Sequence, residues 1–128
     1  MNNVGKIEGT KLPNFEPIDS VPELQIIDTV EGTGETVPEG ATITAHYTGA
    51  LCKNGTIFQS SYDFGKPITF PLSGVIAGWT QGVPGMKVGG TRRLVIPSQM
   101  AYGSVRAAAN IPPNSDLVFD IELVAIEK

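Results

Sequence analysis

Cysteine and histidine occur once each in this chain of 128 residues, as Cys52 and His46. A lone thiol cannot close an intrachain disulfide, so neither a stapled scaffold nor an oxidising compartment is indicated. One thiol and one imidazole also fall short of the ligand sets that zinc takes, and no metal site is expected. Cys52 reads as a packing or surface thiol. Charge is sparse as well. Charged residues make up 17% of the chain, below the roughly 25% of ordinary soluble domains. The 9 Lys and Arg are outnumbered by 13 Asp and Glu, for a net charge of −4. The cations are scattered, so the basic stripe that neutralises phosphates is missing and nucleic acid is excluded as a partner. Arg92 and Arg93 are adjacent, but in a strand they point to opposite faces. No apolar run approaches the ~20 residues that cross a bilayer. The amino terminus lacks the basic segment and apolar core of a secretion signal. The chain is therefore expected to be cytoplasmic, without a membrane partner; an export segment removed ahead of Met1 would leave no trace.

Turn-formers are plentiful, with 15 Gly and 10 Pro, so long helices are not expected. The length suits one domain that buries roughly two-thirds of its unfolded surface. Residues 1–22 carry isolated apolar residues (Val4, Ile7, Leu12, Phe15, Ile18) without a period. They read as an amino-terminal extension, draped on a domain of residues 23–128 by Phe15 and Ile18. LQIIDTV at 24–30 predicts a strand. In the next segment Ile43, Ala45, Tyr47 and Gly49 alternate with Thr42, Thr44, His46 and Thr48, which gives one apolar and one polar face. That alternation turns Tyr47 inward and His46 outward. Asn54-Gly55 predicts a tight hairpin into 56–61, with Phe58 on the returning strand. Residues 68–72 form a short extended piece that Pro71 confines to an edge or a bend. Ile76, Trp79 and Val83 share one face of a short helix closed by Pro84 and Gly85. So short a helix survives only by packing, with Trp79 as its anchor. TRRLVIP at 91–97 and residues 117–127 complete the strands, the last with Leu117, Phe119, Ile121 and Leu123 alternating against Val118, Asp120, Glu122 and Val124. The architecture expected is α+β, an antiparallel sheet of about five strands wrapped on one short helix.

Several motifs invite chemistry without supporting it. GMKVGG at 85–90 precedes a strand rather than a helix and lacks the Gly-Lys-Ser/Thr ending of a phosphate loop. Ser60, Ser61 and Asp63 offer hydroxyls and a carboxylate, yet serines are common at strand ends. The long segment at 98–115 has no period, and loops of that length in a compact domain are usually functional.

The aromatic residues are more informative. Tyr47, Phe58, Phe70, Trp79 and Phe119 all fall on elements facing one core, and Tyr102 sits on the long loop. Five motifs recur in order: AHYTG at 45–49, GTIFQSS at 55–61, VIAGWTQGVPGMKVGG at 75–90, IPSQMAYG at 96–103 and IPPNSDLVFDIEL at 111–123. In their order and spacing the chain resembles the FKBP-type peptidyl-prolyl cis-trans isomerases over residues 23–128. The resemblance implies an enzyme that accelerates rotation about X–Pro bonds without a covalent intermediate or a cofactor, and so assists protein folding. Its implied partners are proline-containing peptides, unfolded proteins and macrolide inhibitors such as tacrolimus or rapamycin, and a monomer is expected.

Carried over by position, Tyr47, Phe58 and Phe119 match walls of the family's hydrophobic pocket, and Trp79 matches the indole at its floor. Val75 and Ile76 match the rim before the helix, where the Ile76 amide receives a ligand carbonyl. Tyr102 matches the loop tyrosine whose hydroxyl meets a peptide carbonyl. Ile111 matches an apolar loop contact, and Phe70 lines the pocket from below. Gln59 stands where many members have Asp, which removes a carboxylate from beside the pocket. The stretch before Val75 is shorter than in familiar eukaryotic members, and the loop carries Arg106 and residues 107–110, which bears on substrate preference. Two other classes use parts of the pattern. A module that grips proline segments as a chaperone would leave isomer exchange unaccelerated. A structural β domain would have every ring internal, and no apolar ligand would quench Trp79.

Overall fold

The computed structural model describes residues 7–104 and 111–127. Val4, Arg106 and residues 107–110, singled out above, lie outside them. Six strands, β1 (Gln25–Val30), β2 (Thr42–Leu51), β3 (Ile57–Ser60), β4 (Ile68–Pro71), β5 (Thr91–Ile96) and β6 (Leu117–Glu127), form one antiparallel sheet in the order β1-β5-β6-β2-β3. The expected α+β arrangement is the one that forms. The sheet gains a sixth strand because two short strands share one edge of β2: β4 pairs along Thr42 to Ala45 and β3 along Thr48 to Ala50. The hairpin between β2 and β3 is wider than a two-residue turn. Gly55 alone takes a positive φ, at 74°, and the Asn54 side chain instead accepts the Thr56 amide at 2.9 Å.

The one α-helix among the described residues, α1 (Ala77–Gly82), has no side-chain cap at its start, so its stability comes from the sheet beneath it. Two glycines let it lie close. A Cβ on Gly78 would stand 2.6 Å from Ile96, and one on Gly82 would stand 2.7 Å from Leu94. The main core fills the space between α1 and the inner sheet face, where Ile43, Leu94, Ile96, Leu117 and Ile121 are fully buried.

A second, smaller core lies on the outer face. Val118, which alternation assigns to the polar side of β6, is fully buried there with Ala50, Cys52, Ile57 and Val95. Residues 7–22 cover it. Leu12 and Val21 go deepest, at 5% exposure each, with Phe15 and Ile18 partly covered beside them. Backbone bonds fasten this segment, among them Leu12 N–H to Gly55 O at 2.8 Å and Ile18 N–H to Cys52 O at 2.8 Å. The segment shows no period because its irregular backbone touches the sheet at separate points. Cys52 is buried, and burial followed by the nearby Asp116 carboxylate pushes its thiol up to about 12, leaving it an inert packing group.

Arg92 and Arg93 do point to opposite faces. Arg93 pairs with Asp120 at 2.6 Å, donates to Asn14 O at 2.8 Å and lies over the Phe15 ring. Arg92 is buried and reaches under the helix, donating from Nε to Asp28 at 2.6 Å and from Nη1 to the Gly82 carbonyl at 2.7 Å. It thereby satisfies an end carbonyl of α1. Replacing Arg92 by Met is expected to lower stability by about 1–3 kcal/mol, read as an earlier urea midpoint. Most of that loss comes from the helix carbonyl, because the Asp28 side chain is half exposed and solvent screens the ion pair. The hydrogen bond from Arg92 holds the Asp28 carboxyl below the usual carboxylate range. The folded-state pKa is the lower one, so the contribution of Asp28 is complete above the unfolded value of about 3.9 and fades as pH falls through the folded value. The urea-midpoint gap between the native chain and Asp28→Asn is therefore expected to hold steady from neutral pH to about 5 and to close below about 4.

Candidate active site

The inner face of β2 brings Tyr47 beneath α1, and β6 brings Phe119 alongside it, since Gly49 of β2 is the residue paired with Phe119. Trp79 descends from the middle of α1 into this space. Its ring meets three others edge-on: Phe70 at 5.1 Å, Phe119 at 5.4 Å and Tyr47 at 5.6 Å between centroids. Phe58 of β3 closes the far side, 5.7 Å from Phe119 at 87°. Positive ring edges against negative faces contribute about 0.5–1.5 kcal/mol per pair beyond area burial, so the cluster is stiff as well as apolar.

The cluster is not sealed. Above it opens a cleft of about 330 Å³ walled by these rings, by Val75 and Ile76 before the helix, by Gln59 beside Phe58, and by Gly74 and Tyr102. Tyr102 is the most exposed of the rings, at 40%, whereas Trp79 and Phe119 are each 4% exposed. Among the described residues, no lining residue carries a formal charge. Burial, followed by the influence of Tyr102, raises the Tyr47 hydroxyl above its ordinary pKa, so it stays protonated and can donate. The Ile76 amide has no acceptor among the described residues, while the Ile76 carbonyl takes the Trp79 and Thr80 amides that start α1. The described residues of the site therefore offer rings, two phenolic hydroxyls, an amide side chain and a backbone N–H, and none of them is a base or nucleophile poised for covalent chemistry.

The sequence pattern described as FKBP-type peptidyl-prolyl cis-trans isomerase matches residues 33–124. The chain belongs to that family. It is 52% identical over 90 residues to peptidyl-prolyl cis-trans isomerase FPR2 of Saccharomyces cerevisiae, covering 69% of this chain and 67% of that one. To the FK506-binding protein of Neisseria meningitidis serogroup B it is 48% identical over 105 residues, covering 80% of this chain and 95% of the relative. The crystal structure of AtFKBP13 superposes with a TM-score of 0.73, at 41% identity over 84% of this chain and 96% of that one. The isomerase activity expected from the sequence follows from this membership.

Nine of the ten residues picked out from the isomerase sequence border the cleft: Tyr47, Phe58, Gln59 and Phe70, then Val75, Ile76 and Trp79, then Tyr102 and Phe119. Ile111 does not. It is buried, at 6% exposure, in the core next to the cleft rather than at its wall. Gly74 was missed, since a residue without a side chain leaves no apolar or polar signal in a sequence. Ser61 was missed in its supporting role. Its hydroxyl accepts the Tyr47 amide at 2.7 Å and lies 3.2 Å from the Tyr47 carbonyl, which fixes the strand at the tyrosine that faces the cleft. His46 faces the other way, stacked on Tyr62 at 4.2 Å. The Tyr62 phenol, pushed up to about 12 by burial and by its hydrogen bond to Glu122, belongs to that outer face. Ser60 and Asp63 are structural too: Ser60 caps the turn at Tyr62, and Asp63 accepts the Ile7 amide at 2.7 Å.

Proposed function

We propose that the isomerase binds the proline of an X–Pro segment against Trp79, Tyr47 and Phe119, and that the Ile76 amide and the Tyr102 hydroxyl hold the flanking carbonyls. The observation that carries this reading is a cleft whose described walls bear no charge, floored by an edge-on ring cluster and with two donors at its rim. Rotation about the X–Pro bond breaks amide resonance, at a barrier of about 18–20 kcal/mol. The planar amide is the more dipolar state and the twisted one the less, so water favours the planar state. Moving the bond out of water removes part of that preference, and each ~1.4 kcal/mol gained is tenfold in rate. Donors fixed in advance at the rim hold the carbonyls on either side of the bond, which keeps the segment seated in the dry cleft while the bond turns. The reaction then needs no bond to the protein.

The same walls suit a large apolar ligand, and we extend the reading to macrolides of the FK506 type, the ligand for which the Neisseria meningitidis relative is named. The test is isomer exchange on a short X–Pro peptide with an apolar residue before proline, with and without such a macrolide. Acceleration that the macrolide abolishes supports the reading, and exchange no faster than in buffer overturns it. Gln59 marks a finer point. Gln59→Asp places a carboxylate at the cleft edge next to apolar walls. It is expected to change macrolide affinity more than catalytic rate, because the rate depends on the dry ring surface and the affinity on polar contacts at the rim. Titration and exchange kinetics on the variant check this, and a rate change as large as the affinity change overturns it.

A further inference from the structure

Tyr102 is the one ring of the cleft that no strand or helix carries, so something else must hold it. The node is Ser98. Its carbonyl accepts the amides of both residues flanking the tyrosine, Ala101 at 3.0 Å and Gly103 at 2.8 Å. Its own amide donates to Oδ1 of Asp116 at 2.8 Å. The other oxygen of that carboxylate accepts the Val21 amide at 3.0 Å, and the Asp116 carbonyl accepts the Cys52 amide at 3.0 Å. Gly103 in turn accepts the Asn114 amide at 2.7 Å, two residues before Asp116. One side chain therefore joins three segments: the loop that bears Tyr102, the lead-in to β6, and the end of residues 7–22, which lie ahead of the stretch the family pattern matches. Val21 is buried, so the bond to it pins the carboxylate from the side away from the cleft. An ionised carboxylate accepting two backbone amides makes stronger bonds than a neutral acceptor would.

We propose that Asp116 is a positioning residue for Tyr102, and that it makes the seating of residues 7–22 a determinant of how tightly the isomerase holds its substrate. The inference rests on the reading that the Tyr102 hydroxyl holds a substrate carbonyl. That contact exists in the planar and the twisted states alike, so loosening Tyr102 weakens both equally. The signature is a raised KM with kcat little changed. A purely structural role would instead shrink the folded fraction, lowering apparent kcat at constant KM.

The experiment measures KM and kcat separately by X–Pro exchange kinetics on the full chain, for Asp116→Asn and Asp116→Ala, each with Tyr102 and with Tyr102→Phe. Asp116→Ala is expected to raise KM about fivefold, a coupling of ordinary size. Asp116→Asn, which keeps one acceptor oxygen, is expected to fall between it and the native chain, and it carries the test if the alanine variant does not fold. With Tyr102→Phe in place, both effects are expected to shrink towards onefold, since the hydroxyl through which Asp116 acts is gone. If Tyr102→Phe alone leaves KM unchanged, the reading of the cleft fails and the inference with it. If Tyr102→Phe raises KM but the Asp116 variants raise it by the same factor in both backgrounds, or lower only kcat, the cleft reading stands and the positioning role is overturned.

Discussion

Trp79→Ala is expected to lower kcat/KM on an X–Pro peptide by well over tenfold and to weaken macrolide binding by a similar factor. The indole is the hub of the cluster, edge-on to Tyr47, Phe70 and Phe119 at once. Its removal lets water reach the place where the amide must twist, and that hydration again favours the planar state. Truncating a buried aromatic also costs about 3–5 kcal/mol of stability, a large share of the roughly 5–15 kcal/mol that a domain possesses. The activity must therefore be scored against the folded fraction. Trp79→Leu supplies the control, because it keeps most of the apolar volume while removing the ring. It is expected to stay folded and to lie between the native chain and the alanine variant in activity. Full activity in a folded Trp79→Ala protein would remove the indole from the reaction.

How much of this could be read from the chain depends on the kind of signal each residue leaves. Period-two alternation placed Tyr47 and Phe119 correctly because β2 and β6 are long and have one apolar face on the main core. Trp79 was legible from helical spacing with Ile76 and Val83, although the helix holds only six residues. Val118 was not. Alternation reads a strand as having one wet face, and here residues 7–22 dry part of the second. Those residues could not announce themselves, since an irregular segment buries single side chains such as Leu12 and Val21 without any repeat. Ile111 shows the opposite limit, because a position carried over from related sequences does not say whether the side chain lines a cavity or fills the core beside it. The couplings at Ser61, Asp116 and Arg92 were invisible for a further reason: each joins segments far apart in the chain through one polar side chain whose type is common on any surface.

Gly49→Ala is expected to damage the cleft with little damage to the fold. Gly49 lies in β2 with φ outside the positive region, so alanine meets no backbone strain there, and by chain entropy alone the change would stabilise by about 0.4–1 kcal/mol. The obstacle is on the inner face. A Cβ at this position would stand 2.6 Å from Cζ of Phe58 and 2.7 Å from Cε2 of Phe119, well inside contact distance. These are rigid rings locked edge-on to each other, and they cannot bend away as the end of a long side chain can. Fully buried Ile57 and Val118 of the outer core back their strands, which leaves the cleft as the open side into which the rings can swing. The expected result is at least a tenfold loss in both kcat/KM and macrolide affinity, with a stability loss of about 1–3 kcal/mol from overpacking, smaller than for Trp79→Ala. Pairing Gly49→Ala with Phe58→Leu, which makes room for the new methyl, is expected to recover part of the macrolide affinity. A Gly49→Ala protein that binds and turns over as the native chain does would mean that the rings relax elsewhere, and that the bare backbone at this position is not what shapes the cleft.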